Sequence, residues 1–245
     1  DDEGDEIKEL LRKKNLSDDG LQTDLSHPTG KVGVTLHSRH EISYEIFENA
    51  AWDYLELTDT LEDIASETQY IIFGSLISRN QISKDTLFHL LNHVPVKVFD
   101  VNLRSPFYSK QIIQELMEKA DIVKMNEEEL DIIAGWFGAE GSQISKVKSL
   151  YSLFHLKTII VTAGAKGGFA FSNGNYAFKE AYKVNVIDTV GAGDAFLAGF
   201  LSSHLKGTSL QQSLEAANKM GALVSQKRGG CPEYDVKELD KISKG

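Results

Sequence analysis

The sequence predicts an α/β fold: a mainly parallel sheet covered by helices on both faces. Three observations point there. From residue 69 onward, short runs rich in β-branched residues alternate with segments of helical apolar spacing. Runs such as "TIIV" are continuously apolar, as strands buried on both faces are. Polar residues and glycines also gather directly after the strand-like runs, where open α/β sheets bind their ligands.

Taken in order, the chain opens with a short amphipathic helix near Ile7–Lys14. "KVGVTLHSRHEISYEIF" alternates apolar and polar residues on either side of "HSRH", predicting a hairpin of Lys31–His37 against Glu41–Phe47. This hairpin does not fit the parallel pattern and reads as a lid or edge module over 31–48. Strands follow at "QYIIFG", "VKVFDV", "DIVKM" and "KTIIVTA", separated by helices at "KDTLFHLLNHV", "KQIIQELMEKA", "NEEELDII" and "SQISKVKSLYSLF". The last of these carries Ile144, Val147, Leu150, Tyr151 and Phe154 at helical spacing. "GGFAFSNGNYAFKEAYKVNVI" predicts short strands about an Asn173–Gly174 turn, with "KVNVI" as a further strand. Two helices close the order, "GAGDAFLAGFLSSHL" and "SLQQSLEAANKMGALVSQ".

Composition excludes several classes. The chain has 245 residues, 41% of them hydrophobic and 25% charged, as in ordinary globular proteins. No apolar run reaches the roughly 18 residues that a membrane span needs. A net charge of -10 argues against nucleic acid or an anionic membrane as partner. The acidic start "DDEGDEIKEL" reads unlike a signal peptide. With Cys231 as the only cysteine, no intrachain disulfide can form, and a cytoplasmic location is expected.

The polar residues after the strands converge on phosphate chemistry. After "VKVFDV" come Asn102 and Arg104, and after "DIVKM" come Asn126 and Glu129. Thr162, Gly164 and Gly167 follow "KTIIV", and "DTVGAGDAF" (188–196) follows "KVNVI". Glycine costs a helix about 1 kcal/mol relative to alanine, so Gly191 and Gly193 at a helix start suggest a ligand approaching the backbone. The free amides of that first turn make an anion seat. A tight turn capped by Asp188 or Thr189 is the plainer alternative. A carboxylate at Asp194 would repel a phosphate, unless it accepts the proton of an attacking hydroxyl while the amides hold the phosphoryl group. Asn126 and Glu129 also fit a helix capping box, and Arg104 a surface ion pair. His89 and His93 have a metal-compatible i, i+4 spacing, but their helix is mainly apolar. No G-x-x-x-x-G-K-[ST], third dinucleotide-type glycine, H-R-D or D-F-G occurs.

"DTVGAGDAF" resembles the C-terminal signature of the ribokinase (PfkB) family of carbohydrate and nucleoside kinases. "DVNLR", "NEEE" and "VTAGAKGG" are similar to three further family motifs, in family order, while "HPTGKVGVTL" and "YEIFENAAWDYL" look like fructokinase-branch segments. The resemblance covers essentially the whole chain. It implies a ribokinase-like three-layer α/β/α sandwich over 1–245 with a small β lid, and an ATP-dependent sugar kinase, fructose foremost. In that likeness Asp194 is the base, and the amides of Gly191, Ala192 and Gly193 form the anion hole. Arg104 is a catalytic cation near the transferred phosphate and the sugar, Asn102 lies by the sugar, and Asn126 and Glu129 organise Mg²⁺ through water. Thr162, Gly164, Gly167 and Asn218 border ATP, and Asp188, Val190 and Gly229 are a potassium site. It also implies dimerisation through the lid. Trp52 and Asp53 stand near the substrate in the same likeness, or Trp52 is an apolar anchor. The family's usual first strand, with its sugar-binding aspartate and following helix, is expected to be missing. The related alternatives are a kinase for 2-keto-3-deoxygluconate, ribose or a nucleoside, or a non-catalytic nucleotide- or sugar-binding homologue.

Overall fold

A computed structural model describes residues 1–36 and 42–242, with side chains undescribed at 34–36 and 42–44. The residues group into two compact units, Asp1–Lys97 with Leu103–Ile112, and Val98–Asn102 with Ile113–Gly245.

The first unit begins with α1 (Asp2–Lys13), capped by Asp1, whose carboxylate accepts from the Gly4 amide at 3.0 Å. Acids fill its first turn and bases its last, matching the helix dipole. The expected hairpin is present as an antiparallel pair, β1 (Val32–Leu36) and β2 (Ile42–Ile46), with Val32 opposite Ile46. Its expected turn, 37–40, lies outside the described residues, as do the strand-end residues His37 and Glu41. Next come α2 (Asp59–Glu67), β3 (Tyr70–Gly74) and α3 (Gln81–Leu90). Thr58 caps α2 and Asn80 caps α3. α2 is not among the elements derived from sequence. It packs on α3 and β3 through Ala65, Leu90 and Val94, with Leu61 and Ile71 against them.

The sheet order is β3-β4-β5-β6-β7-β8. β4 (Val96–Asp100), β5 (Ile122–Asn126) and β6 (Thr158–Thr162) are parallel neighbours; β7 (Gly168–Ser172) and β8 (Asn175–Lys179) add on antiparallel. The intervening helices are α4 (Lys110–Lys119), α5 (Glu127–Trp136) and α6 (Gln143–Leu153). The fold is α/β as expected, with a mostly parallel sheet flanked by helices. In the second unit β5 and β6 are buried almost end to end, which is why they read as unbroken apolar runs. Phe99, Met125, Leu130, Ile133, Ile159, Ile160 and Phe200 fill the core at full burial.

One predicted strand is absent. Residues 183–187, "KVNVI", form no ladder; the amides of Ile187 and Asp188 instead donate to the Ser225 carbonyl, at 2.8 and 3.2 Å. Val186 and Ile187 stay exposed, so the run's alternation reflects an extended connector. It leads into α7 (Ala192–His204), which packs against α8 (Leu210–Ser225). Gly199 permits that approach, since a Cβ there would stand 2.7 Å from the Ala216 carbonyl oxygen.

Candidate active site

The start of α7 explains its glycines. Gly191 is the N-cap in left-handed conformation, φ 76°, and no side chain caps the helix. A Cβ at Gly191 would overlap the Gly230 carbonyl, so turn geometry and close approach both require glycine. No side chain takes up the first-turn amides, but Ala192 N–H donates to the Thr189 carbonyl at 3.2 Å, so an anion seat here draws chiefly on the amides of its neighbours Gly191 and Gly193. Asp188 does not cap α7, despite its position. Its carboxylate accepts from the amides of Val190 (3.0 Å) and Gly229 (2.9 Å), tying the turn to the loop after α8. Those two bonds hold its carboxyl below the usual carboxylate range. The three residues expected to hold potassium are therefore neighbours.

Asp194 stands exposed in the first turn of α7. Gly193 precedes it, and a Cβ there would lie 3.3 Å from the Lys124 ammonium. Lys124 is buried in β5 and reaches both oxygens of Asp100, at the end of β4, at 2.9 Å. Burial pushes the Asp100 carboxyl upward against the pull of Lys124, and the charges of Glu129 and Asp194 add to the push. Three carboxylates thus share one neighbourhood with a single lysine. Sequence reasoning missed Lys124; its signal was a lysine inside an apolar strand, "DIVKM", where a solvent-facing residue is not expected.

Asn126 and Glu129 form the capping box at the start of α5: Glu129 N–H donates to Asn126 Oδ1 and Asn126 N–H to Glu129 Oε2, both 2.8 Å. Glu129 is buried and Asn126 exposed, so the box holds a carboxylate at the strand end. Asn126 is the register partner of Thr162, which ends β6. Gly164 and Gly167, both with positive φ, form the turn after it, and Lys166 pairs with Glu127 at 3.0 Å. Asn218 is buried in α8, its amide donating to the Leu214 carbonyl at 2.9 Å and that of Lys179 at 3.4 Å. Asn102 is exposed after β4, with φ 41°.

Arg104, Trp52 and Asp53 belong to the first unit. Arg104 is exposed. Asp53 is buried and held by Arg79 through two bonds, Nε to Oδ1 at 2.6 Å and Nη2 to Oδ2 at 2.7 Å. The same guanidinium lies 5.9 Å from the Trp52 ring centre and 4.7 Å from that of Phe107. Trp52 covers Gly30 and, with Asp53, Thr29 and Tyr54, lines a cavity of about 830 Å³.

Comparison with known proteins supplies a context for this arrangement. The profile of the pfkB family of carbohydrate kinases matches residues 1–236. The uncharacterized sugar kinase PH1459 of Pyrococcus horikoshii is 31% identical over 251 residues, covering 97% of this chain and 76% of that protein. Its structure in complex with ATP superposes with a TM-score of 0.77, at 30% identity, over 93% of this chain and 74% of that one. The Arabidopsis thaliana chloroplastic protein named "Probable fructokinase-6" is 28% identical over 95% of this chain and 64% of its own length. The fructokinase of Vibrio cholerae O395, solved with fructose, ADP and a calcium ion, gives a TM-score of 0.81 at 25% identity, covering 98% of this chain and 81% of that one. This chain thus spans about two thirds to four fifths of the proteins it matches. Among the described residues no helix is long and apolar enough to cross a membrane.

Proposed function

The chain belongs to the pfkB family of carbohydrate kinases, and on that footing we propose that it moves the γ-phosphoryl group of ATP to a primary hydroxyl of a sugar, fructose before others. One observation carries the mechanism: an uncapped helix start with Asp194 exposed in its first turn. Asp194 takes the proton of the attacking hydroxyl. The amides of 191–193 hold the phosphoryl oxygens, where charge gathers in the transition state. Arg104 adds its positive charge near the transferred phosphate and the sugar, and Asn102 borders the sugar. Thr162, Gly164 and Gly167 lie along the nucleotide, and Asn218 flanks the base.

The surplus of carboxylates around Lys124 fits a hard divalent cation, and Mg²⁺ prefers such oxygen ligands while keeping several waters. Glu129, oriented by Asn126, would hold it through water, and the ion would neutralise phosphate charge. Asp188, kept ionised by its two amides, would hold potassium with the backbone of Val190 and Gly229; rates with and without KCl test this.

Fructose is favoured by the names of the relatives. Residues 1–245 act in this reading as one catalytic domain with 31–48 as its lid, in the cytoplasm. The lid exposes Val32 and Phe47, apolar surface that a second copy would cover, and light scattering reads the resulting dimer. The deciding experiment measures ADP release by the full-length protein with fructose, ribose, 2-keto-3-deoxygluconate and a nucleoside. We expect the highest kcat/KM with fructose. A higher value with another acceptor overturns the fructose assignment, and ATP binding without turnover on any acceptor marks a non-catalytic homologue.

A further inference from the structure

We propose that Glu62, His89 and His93 form a binding site for a zinc-class divalent cation, clipping α2 to the end of α3. One ligand atom from each lies within 4.8 Å of the others. Glu62 Oε1 is 2.6 Å from His89 Nε2, and the two imidazole rings are tilted against each other with centres 5.0 Å apart.

The spacing of the histidines alone says little. The carboxylate that completes the set comes from another helix, across the contact made by Ala65, Leu90, Val94 and Leu61. That apolar contact fixes both helices, so the three donors are held together before any ion arrives. A tetrahedral zinc site places its ligand atoms roughly 3.3–3.5 Å apart, given metal–ligand bonds of about 2.0–2.2 Å. Side-chain rotation in these partly exposed groups covers the remaining difference: Glu62 opens slightly from His89, and His93 swings inward. Two imidazoles and one carboxylate suit zinc or its first-row neighbours and not magnesium, and a water fills the fourth position.

Charge favours the same ligand. α2 carries Asp59, Glu62, Asp63 and Glu67 and no basic residue. Its carboxylates at i, i+4 repel one another, and a bound cation relieves that repulsion. A simple Glu62–His89 ion pair leaves His93 without a role; a shared metal uses all three.

The inference is independent of the sugar kinase reading, and its test reads metal binding instead of turnover. Full-length protein stripped with a chelator is titrated calorimetrically with ZnCl₂ and melted with and without it. We expect about one zinc per chain with a Kd of about 10 μM or tighter and a higher melting temperature, effects that MgCl₂ does not reproduce. Glu62→Gln and His93→Asn should each weaken binding at least about tenfold. Co²⁺ should give the intense visible d–d bands of low-coordinate cobalt in the parent, and only the weak absorption of aqueous Co²⁺ in the His89→Asn/His93→Asn double variant. Circular dichroism confirms that the variants fold. The proposal is overturned if the parent binds no zinc at tens of micromolar, or if the folded variants bind it as the parent does.

Discussion

The ammonium of Lys124 sits 2.9 Å from both carboxylate oxygens of Asp100, and 3.3 Å from where a Cβ on Gly193 would stand. A buried ion pair therefore lies directly beneath the helix turn that carries Asp194. Its carboxylate also feels the charges of two more carboxylates, Glu129 and Asp194. Removing one member of such a pair is costly because the other stays buried and unmatched.

Lys124→Met should therefore destabilise the protein by about 3–5 kcal/mol. The loss depends on pH with a definite sign. Burial and neighbouring carboxylates already raise the folded Asp100 carboxyl, and losing the lysine raises it further. A raised folded value means that stability is fully present below the unfolded value and falls as pH climbs toward the folded one. The gap between variant and parent should widen with rising pH in urea midpoints. Replacing both partners, as Asp100→Leu with Lys124→Met, should recover much of the stability; a double variant as unstable as the single one argues against an electrostatic origin.

Gly191 and Gly193 should respond differently to alanine. Gly191→Ala meets a left-handed φ and the Gly230 carbonyl, and should cost about 1–3 kcal/mol. Gly193→Ala has no positive φ, and its methyl group meets only the ammonium of Lys124, at 3.3 Å, which the Lys124–Asp100 pair can absorb by shifting a few tenths of an ångström, so its stability loss should be the smaller of the two. Its methyl group would press on the Lys124–Asp100 pair beneath the proposed anion seat and shift that turn, so kcat should fall more than the melting temperature. Equal stability losses in the two variants would remove the structural distinction drawn between these glycines.

Tyr182 gives an alkaline prediction. Its phenol is pushed up to about 12, by burial first and then by the charge of Glu215, whose carboxylate accepts its hydrogen at 3.2 Å. Below the ordinary phenol value of 10.0, folded and unfolded states both keep the proton, and the stabilising contribution is complete. As pH rises from there to about 12, the unfolded chain ionises first and the contribution is lost. Tyr182→Phe should flatten this part of the stability profile, read as the denaturant midpoint across the alkaline range.

The sequence shows some parts of this protein clearly and hides others for physical reasons. β5 and β6 are legible because burial on both faces demands uninterrupted apolar residues. The capping box of Asn126 and Glu129 is legible because both its partners lie within four residues. The connector at 183–187 misleads because alternation does not say whether a neighbouring strand has free backbone groups to pair with. Lys124 and Glu62 are hidden for a different reason. Each matters through a residue more than twenty positions away, Asp100 and His89, and only the tertiary structure brings them together. The acidic α2, short and weakly apolar, takes its place from the contact that Ala65 makes with α3.

The central claim is that Asp194 is the base of a phosphoryl transfer seated on the α7 amides. Its most direct test is sugar-dependent ADP release by full-length Asp194→Asn, measured beside calorimetric ATP binding. We predict a fall in kcat of at least about 10²-fold, within or beyond the range a positioned base supplies, with ATP affinity close to that of the parent. Near-parental turnover in the folded variant would contradict the account.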